Sequence, residues 1–257
     1  AVTDGLTVAG NVSVDGGTIK LNGNYPAGTR NVALGDTALD SNVSGDDNVA
    51  VGSGALTALT TGNNNHAFGQ GALQSNVSGG QNVAIGRLAL QANTASNNTA
   101  VGHNAGYNNT SGVSNTAIGY AALVNNTTAS NNTAVGYQSL YSNVTNNNTG
   151  LGWKAGYAIT TGAQNTAVGH AALTATTTGT TNTATGFTAL YSNTTGSSNT
   201  AYGDTALYSN TTASNNTAVG YQSLYTNTAG ENMAAFGYQA LYSSNTTGSV
   251  NNNAFGF

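Results

Sequence analysis

Charge is what this chain has least of. Only 5% of its 257 residues are Asp, Glu, Lys or Arg, against about 25% in an average soluble domain. Four basic and eight acidic residues leave a formal net charge of −4, which removes the basic footprint that a nucleic-acid surface needs. There is no Cys, and one each of Pro, Trp and Met. The missing Cys excludes disulfides and thiolate chemistry without fixing a redox compartment. No apolar run approaches the roughly 18 to 20 residues of a membrane span. Gly, Asn, Thr, Ser and Ala fill the space instead. Such a composition can mean disorder, but disorder usually comes with high net charge or Pro, and neither is present. The chain opens on Ala1 rather than Met, which fits a removed leader or a piece of something longer.

Catalytic chemistry is scarce too. The acidic residues Asp4, Asp15, Asp36, Asp40, Asp46, Asp47, Asp204 and Glu231 are scattered, and Asp46 with Asp47 has no partner at metal-ligand spacing. His66, His103 and His170 fall in different parts of the chain and read as surface residues. Ser139 and Ser223 stand where Ala is the rule, so small size explains them better than nucleophilicity. No catalytic residue, metal site or cofactor is expected, and the chain reads as non-enzymatic.

What is present is a repeat. The pattern Asn-x-Ala-x-Gly places Gly at 35, 52, 69, 86, 102, 119, 136, 152, 169, 186, 203, 220, 237 and 256. The spacing is 17 residues, with 16 after Gly86 and Gly136 and 19 before Gly256. The sixteen residues from Asn126 to Tyr141 recur letter for letter from Asn210 to Tyr225. An Ala row precedes Gly by two, including Ala100, Ala117, Ala134 and Ala167, with Gly150 the departure. An apolar row precedes it by one, including Val101, Ile118, Val135, Val168 and Val219, with Thr185 and Tyr202 the exceptions. Ala or Ser then Leu follow three and four residues on, as in Leu140, Leu173 and Leu224. Gly106 and Gly156 replace that Leu, each just after a 16-residue spacing.

A 17-residue unit is too short for a helical hairpin repeat of about 34 residues, and Gly, Asn, Thr and Ser at this density disfavour helix. Runs such as "TAVG" and "SLY" alternate with turn chemistry such as "NTTG". The expectation is all-β: a parallel β-solenoid or β-roll with one 17-residue coil per unit. Residues 31–257 would form fourteen repeats, the last truncated, and residues 1–30 a β meander or cap. Coils stacked at about 4.8 Å make a rod of roughly 65 Å. The coil core is expected at Ala100, Ala117, Ala134, Ala167, Leu140, Leu173 and Leu224.

Neighbouring strand residues point to opposite faces, yet Ala and the apolar residue beside it are both constrained. A second copy covering the outer face accounts for this, most simply in a homotrimer. Val101, Ile118, Val135, Val168 and Val219 are the candidate contacts. The alternative is a corner within a single coil. After Phe257 no capping sequence follows, so that end reads as truncated or as docking on another subunit.

Fixed positions also make ladders. Asn recurs four residues before Gly, from Asn31 to Asn216. Tyr191, Tyr208, Tyr225 and Tyr242 recur at 17-residue spacing as a candidate glycan contact. Tyr120, Tyr137, Trp153, Phe187, Tyr221 and Tyr238 share the position after Gly. Asn-x-Ser/Thr triplets at Asn42, Asn76, Asn126, Asn193 and Asn210 read as N-glycosylation acceptors on turns.

The units "NTAVGYQSLYSN" and "NVAIGRLALQAN" resemble head repeats of trimeric autotransporter adhesins. They look still more like repeat arrays of bacteriophage tail-fibre proteins that end in a self-cleaving chaperone domain. The resemblance implies a parallel, often trimeric β-roll, located extracellularly at a cell surface or on a virion. The function expected is a structural and adhesive fibre segment, with a cell-surface glycan as partner. A self-assembling filament subunit, with or without glycans, is the alternative. An ice-binding solenoid is a weaker one: the Thr row from Thr99 to Thr217 has an apolar rather than a Thr partner row.

Overall fold

The computed structural model describes residues 28–244, 248–249 and 251–256; the meander expected over 1–30 lies almost wholly outside the described residues. The chain winds as a parallel β-solenoid. Each coil contributes one three-residue strand, such as Thr99–Val101, Thr116–Ile118 and Thr133–Val135. The strands form one fourteen-stranded parallel sheet in simple sequential order. Pairing is in register: Ala100 opposes Ala117, which opposes Ala134. There is no helix among the described residues.

Strand geometry explains what the triplet Thr-Ala-apolar does. Alternation turns the middle residue inward and its neighbours outward. Ala100, Ala117, Ala134 and Ala167 are buried, while Val101, Val135, Val168 and Val219 are half-buried and Ile118 is exposed. The "SLY" runs differ from the strand expectation: they are turns. Leu140 sits at φ +48° and Gln138 at +52°, conformations that cost L-residues roughly 1–2 kcal/mol each. The left-handed turn lets two successive residues, Ser139 and Leu140, both reach the interior, which no strand permits. Leu140, Leu173 and Leu224 are fully buried there. The turns still bond coil to coil, as in Leu123 N–H to Ser139 O at 3.0 Å.

At the corner Gly the coils touch backbone to backbone. Gly52 has φ +132°, and a Cβ there would lie 2.6 Å from the carbonyl carbon of Gly69. Neither the conformation nor the space admits a side chain.

Ala and, in most coils, one Leu are a small apolar core, and two buried Asn rows complete it. In the first, each side-chain Oδ1 accepts the backbone N–H of its equivalent one coil on. Asn98 N–H donates to Asn82 Oδ1 (2.9 Å), Asn115 to Asn98 (2.9 Å), Asn132 to Asn115 (3.0 Å), and so on to Met233 on Asn216 (3.0 Å). Along most of the row the Nδ2 then reaches across the coil to a turn carbonyl, as in Asn98 to Gly112 O and Asn115 to Ala129 O, both 2.8 Å; Asn132 Nδ2 is the exception, buried without a partner.

The second row is the set read as glycan acceptors, and the structure corrects that reading. Asn76, Asn126, Asn193 and Asn210 are fully buried and Asn42 is 7% exposed. Their Nδ2 atoms, where a glycan would attach, donate to the same turn carbonyls from the opposite side. Asn126 bonds Ala129 O at 2.9 Å, Asn42 bonds Gly45 O at 3.0 Å, and Asn76, Asn193 and Asn210 bond Gly79, Gly196 and Ala213 O. A carbonyl has two lone pairs, and Ala129 O uses both on buried amides. These triplets are core Asn followed by turn Thr or Ser.

The irregular units have local causes. In the shortened turns Asn98 bonds Asn93 Oδ1 at 3.1 Å and Asn148 bonds Asn143 Oδ1 at 2.8 Å, closing the coil with one residue fewer. Leu90 and Leu140 of those coils lean over the next: a Cβ on Gly106 would lie 2.9 Å from Leu90 Cδ2, and one on Gly156 2.8 Å from Leu140 Cδ2. Leu does not fit there and Gly does. Gly150 likewise makes room for Ser139, whose hydroxyl donates to Gly150 O at 2.9 Å.

Gly119→Ala is expected to destabilise the rod by at least about 2 kcal/mol, because it adds a Cβ at φ +129° against the Gly136 backbone. A thermal melt beside the exposed control Thr133→Ala measures the difference. Asn115→Asp replaces the Nδ2 donor by an oxygen facing Ala129 O. Burial raises a carboxyl's folded pKa, so this variant's stability falls as pH rises above about 4. Melts at pH 4 and pH 7 should separate for the variant and stay together for the parent; the reverse order would disprove the Asn geometry.

Candidate functional site

With the interior filled, only outward rows can meet a partner. The residue after each corner Gly opens a tight turn closed by bonds such as Ala155 N–H to Gly152 O (3.4 Å), so its side chain projects from the edge of the coil. From His103 to Phe187 these side chains form one continuous column. Successive ring centroids lie 5.6, 5.3, 6.4, 4.5 and 5.0 Å apart through His103, Tyr120, Tyr137, Trp153, His170 and Phe187, with planes within 19°. Tyr221 and Tyr238 continue the column at 5.2 Å beyond a single break. His103 and His170, read from the sequence as surface residues, lie half-buried and exposed respectively, and both are rings of this column. Their place in the 17-residue frame, directly after Gly, was the signal.

A second column runs alongside. Tyr191, Tyr208, Tyr225 and Tyr242 stack at 5.2, 5.2 and 5.1 Å, and Tyr141 stacks on Tyr157 at 5.1 Å. Stacking along the axis covers the ring faces. These Tyr rows therefore present hydroxyls and ring edges outward rather than open faces. Lys154 lies between the two columns, its Nζ 4.7 Å from the Trp153 centroid and 5.1 Å from that of Tyr157, within cation–π range.

On the strand face the apolar row stands outward beside the Thr row. Leu34, Ile85 and Leu151 are 43–50% exposed. The candidate contacts Val101, Ile118, Val135, Val168 and Val219 lie on this stripe, interrupted by Thr185 and Tyr202. An ion pair lies at one end, where Arg30 Nη2 donates to Asp47 Oδ2 at 2.7 Å. Hydrogen bonding to Arg30 holds the Asp47 carboxyl below its usual range, and the Thr29 N–H and hydroxyl do the same for Asp46. These groups are open to water, where such pairs contribute little stability. Among the described residues no three His, Asp or Glu come together as metal ligands, and no helix is long and apolar enough to cross a membrane.

No protein-family model matches the chain, and no curated protein or solved structure does either.

Trp153→Ala removes the ring between Tyr137 and His170. It is expected to lower stability by about 1–2 kcal/mol and to reduce near-ultraviolet circular dichroism from the neighbouring Tyr, with the far-ultraviolet spectrum unchanged. An unaltered near-ultraviolet spectrum would show that the column is not coupled.

Proposed function

We propose that this segment is a non-enzymatic extracellular fibre, a structural and adhesive rod of the kind found in phage tail fibres and bacterial surface adhesins, working at a cell surface or on a virion. The observation that carries the reading is the uniform cross-section: fourteen strands in one sequential parallel sheet, each residue row in line with itself. Nearest-neighbour stacking of this kind specifies length and stiffness. It also repeats every outward side chain along the axis, which suits many weak contacts acting together. A cell-surface glycan is the partner proposed, met by the hydroxyls and edges of Tyr191, Tyr208, Tyr225 and Tyr242.

The working form proposed is a parallel, in-register homo-oligomer, most simply a trimer. The apolar stripe supports it. Before its interruption the stripe runs from Leu34 to Val168 over nine coils, so a band about 10 Å wide and roughly 43 Å long amounts to about 430 Å², an apolar strip of the size that marks interaction surfaces. With the Ala row facing the coil interior, the contact falls to Val101, Ile118, Val135 and Val168, with Val219 beyond the interruption. Low net charge keeps repulsion between copies small.

Native mass spectrometry of the 257-residue chain should give a trimer, and Val135→Asp with Val168→Asp together should give a folded monomer. A parent protein that is monomeric and fully folded at micromolar concentration would overturn the oligomer. A particle that is globular rather than a rod by small-angle scattering would overturn the fibre.

A further inference from the structure

One coil breaks two outward rows at once. From Tyr120 to Tyr238 the position after the corner Gly holds a ring in every coil except that of Gly203, which has Asp204. Two residues earlier the apolar row holds Tyr202, and the coil before has Thr185 in that place. The backbone puts Asp204 directly between Phe187 and Tyr221. Thr205 N–H donates to Phe187 O at 2.9 Å, and Gln222 N–H to Asp204 O at 3.0 Å. His170 covers one face of Phe187 and Tyr238 one face of Tyr221. Their other faces look across the Asp204 coil at each other. Two coil rises separate them, about 9.6 Å, leaving about 6 Å of clear space after ordinary carbon contact. The Asp side chain is too short to fill the gap between the outer parts of the rings. Tyr202 stands two residues before Asp204, so their Cα atoms are at most about 7 Å apart. Phe187, Tyr202 and Tyr221 are 52%, 61% and 42% exposed, and Asp204 is exposed. Its carboxylate makes no hydrogen bond or ion pair with another described residue.

We propose that Phe187, Tyr202, Asp204 and Tyr221 form a slot that binds a quaternary ammonium group of the choline type. Ring faces attract cations within about 6 Å of their centroids. A cation midway in the slot is about 4.8 Å from both Phe187 and Tyr221, and the carboxylate supplies the opposite charge. The roughly 6 Å gap takes a trimethylammonium head, whereas a planar guanidinium about 3.5 Å thick leaves it half empty. Lys154, held against Trp153 and Tyr157, is an ammonium already bound by rings of the same columns. Two rows that gain from stacking are broken in one coil, and local rules are broken where a site needs them broken. The slot lies at the interruption of the apolar stripe and does not rest on the fibre reading.

Choline titrated into the intact chain, followed by calorimetry and by proton signals of Tyr and Phe rings, tests the slot. The neutral carbon isostere of choline and guanidinium serve as comparisons. Asp204→Tyr and Tyr202→Val each install a residue type already found at the equivalent positions, so both should fold, and Asp204→Asn keeps the size while removing the charge. The expected result is saturable choline binding, at least about tenfold weaker in Asp204→Asn and lost in Asp204→Tyr, with no saturation by the isostere. Absent choline binding, unchanged binding in Asp204→Tyr, or equal binding of the isostere overturns the site. Tighter binding of guanidinium than of choline overturns the ligand assigned to it.

Discussion

A coil this short leaves most of its backbone without a strand partner, and the buried amide of one Asn per coil is what makes it tolerable. Asn115 Oδ1 takes the N–H of Asn132, and Asn115 Nδ2 satisfies Ala129 O on the far side of the same interior. Such a residue ties its coil to the next and holds the two walls of its own coil together; at Asn132 only the tie to the next coil is made. A buried amide left unpaired would cost about 1–3 kcal/mol, so the network is strongly selective for the one arrangement in which successive Asn align. That alignment sets the rise, and the rise puts Gly on Gly, Ala on Ala and ring on ring.

The same close stacking explains why departures come in pairs. The coil has little slack for a larger side chain, so several changes in one unit are answered in its neighbour, although Ser223 bonds Gly220 O within its own turn and leaves Ala235 of the next coil unchanged. Ser139 is met by Gly150, Leu90 by Gly106, and Leu140 by Gly156. Strain is accepted in return: Leu and Gln in left-handed conformations recur along the rod because they turn the Leu side chain into the only apolar space available.

Outside, the same rise makes lines rather than patches. Ring columns, the Thr row and the apolar stripe each run along the axis, and each is altered only where a residue type changes. A uniform stretch favours repeated, distributed contact, while the altered coil around Asp204 is a local feature on a regular surface. The proposed fibre and the proposed cation slot thus draw on different properties of one architecture.

The sequence by itself determined the period and the β-solenoid class, because a 17-residue repeat of Gly, Asn and Thr leaves no helical way to bury Ala and Leu. It could not separate the two Asn rows from one another or from exposed sequons. Asn42 and Asn126 look like turn residues in one dimension and are buried only because the adjacent coil closes over them. It read His103 and His170 as surface residues but not as part of a ring column, since stacking on Tyr120 and Trp153 needs the 17-residue spacing converted into a rise of one coil. Nor could it explain Gly106 and Gly156, whose cause is a Leu side chain from the preceding coil. In each case the deciding contact is between residues about 17 apart in sequence and one strand spacing apart in space, and only the stacked tertiary structure brings them together.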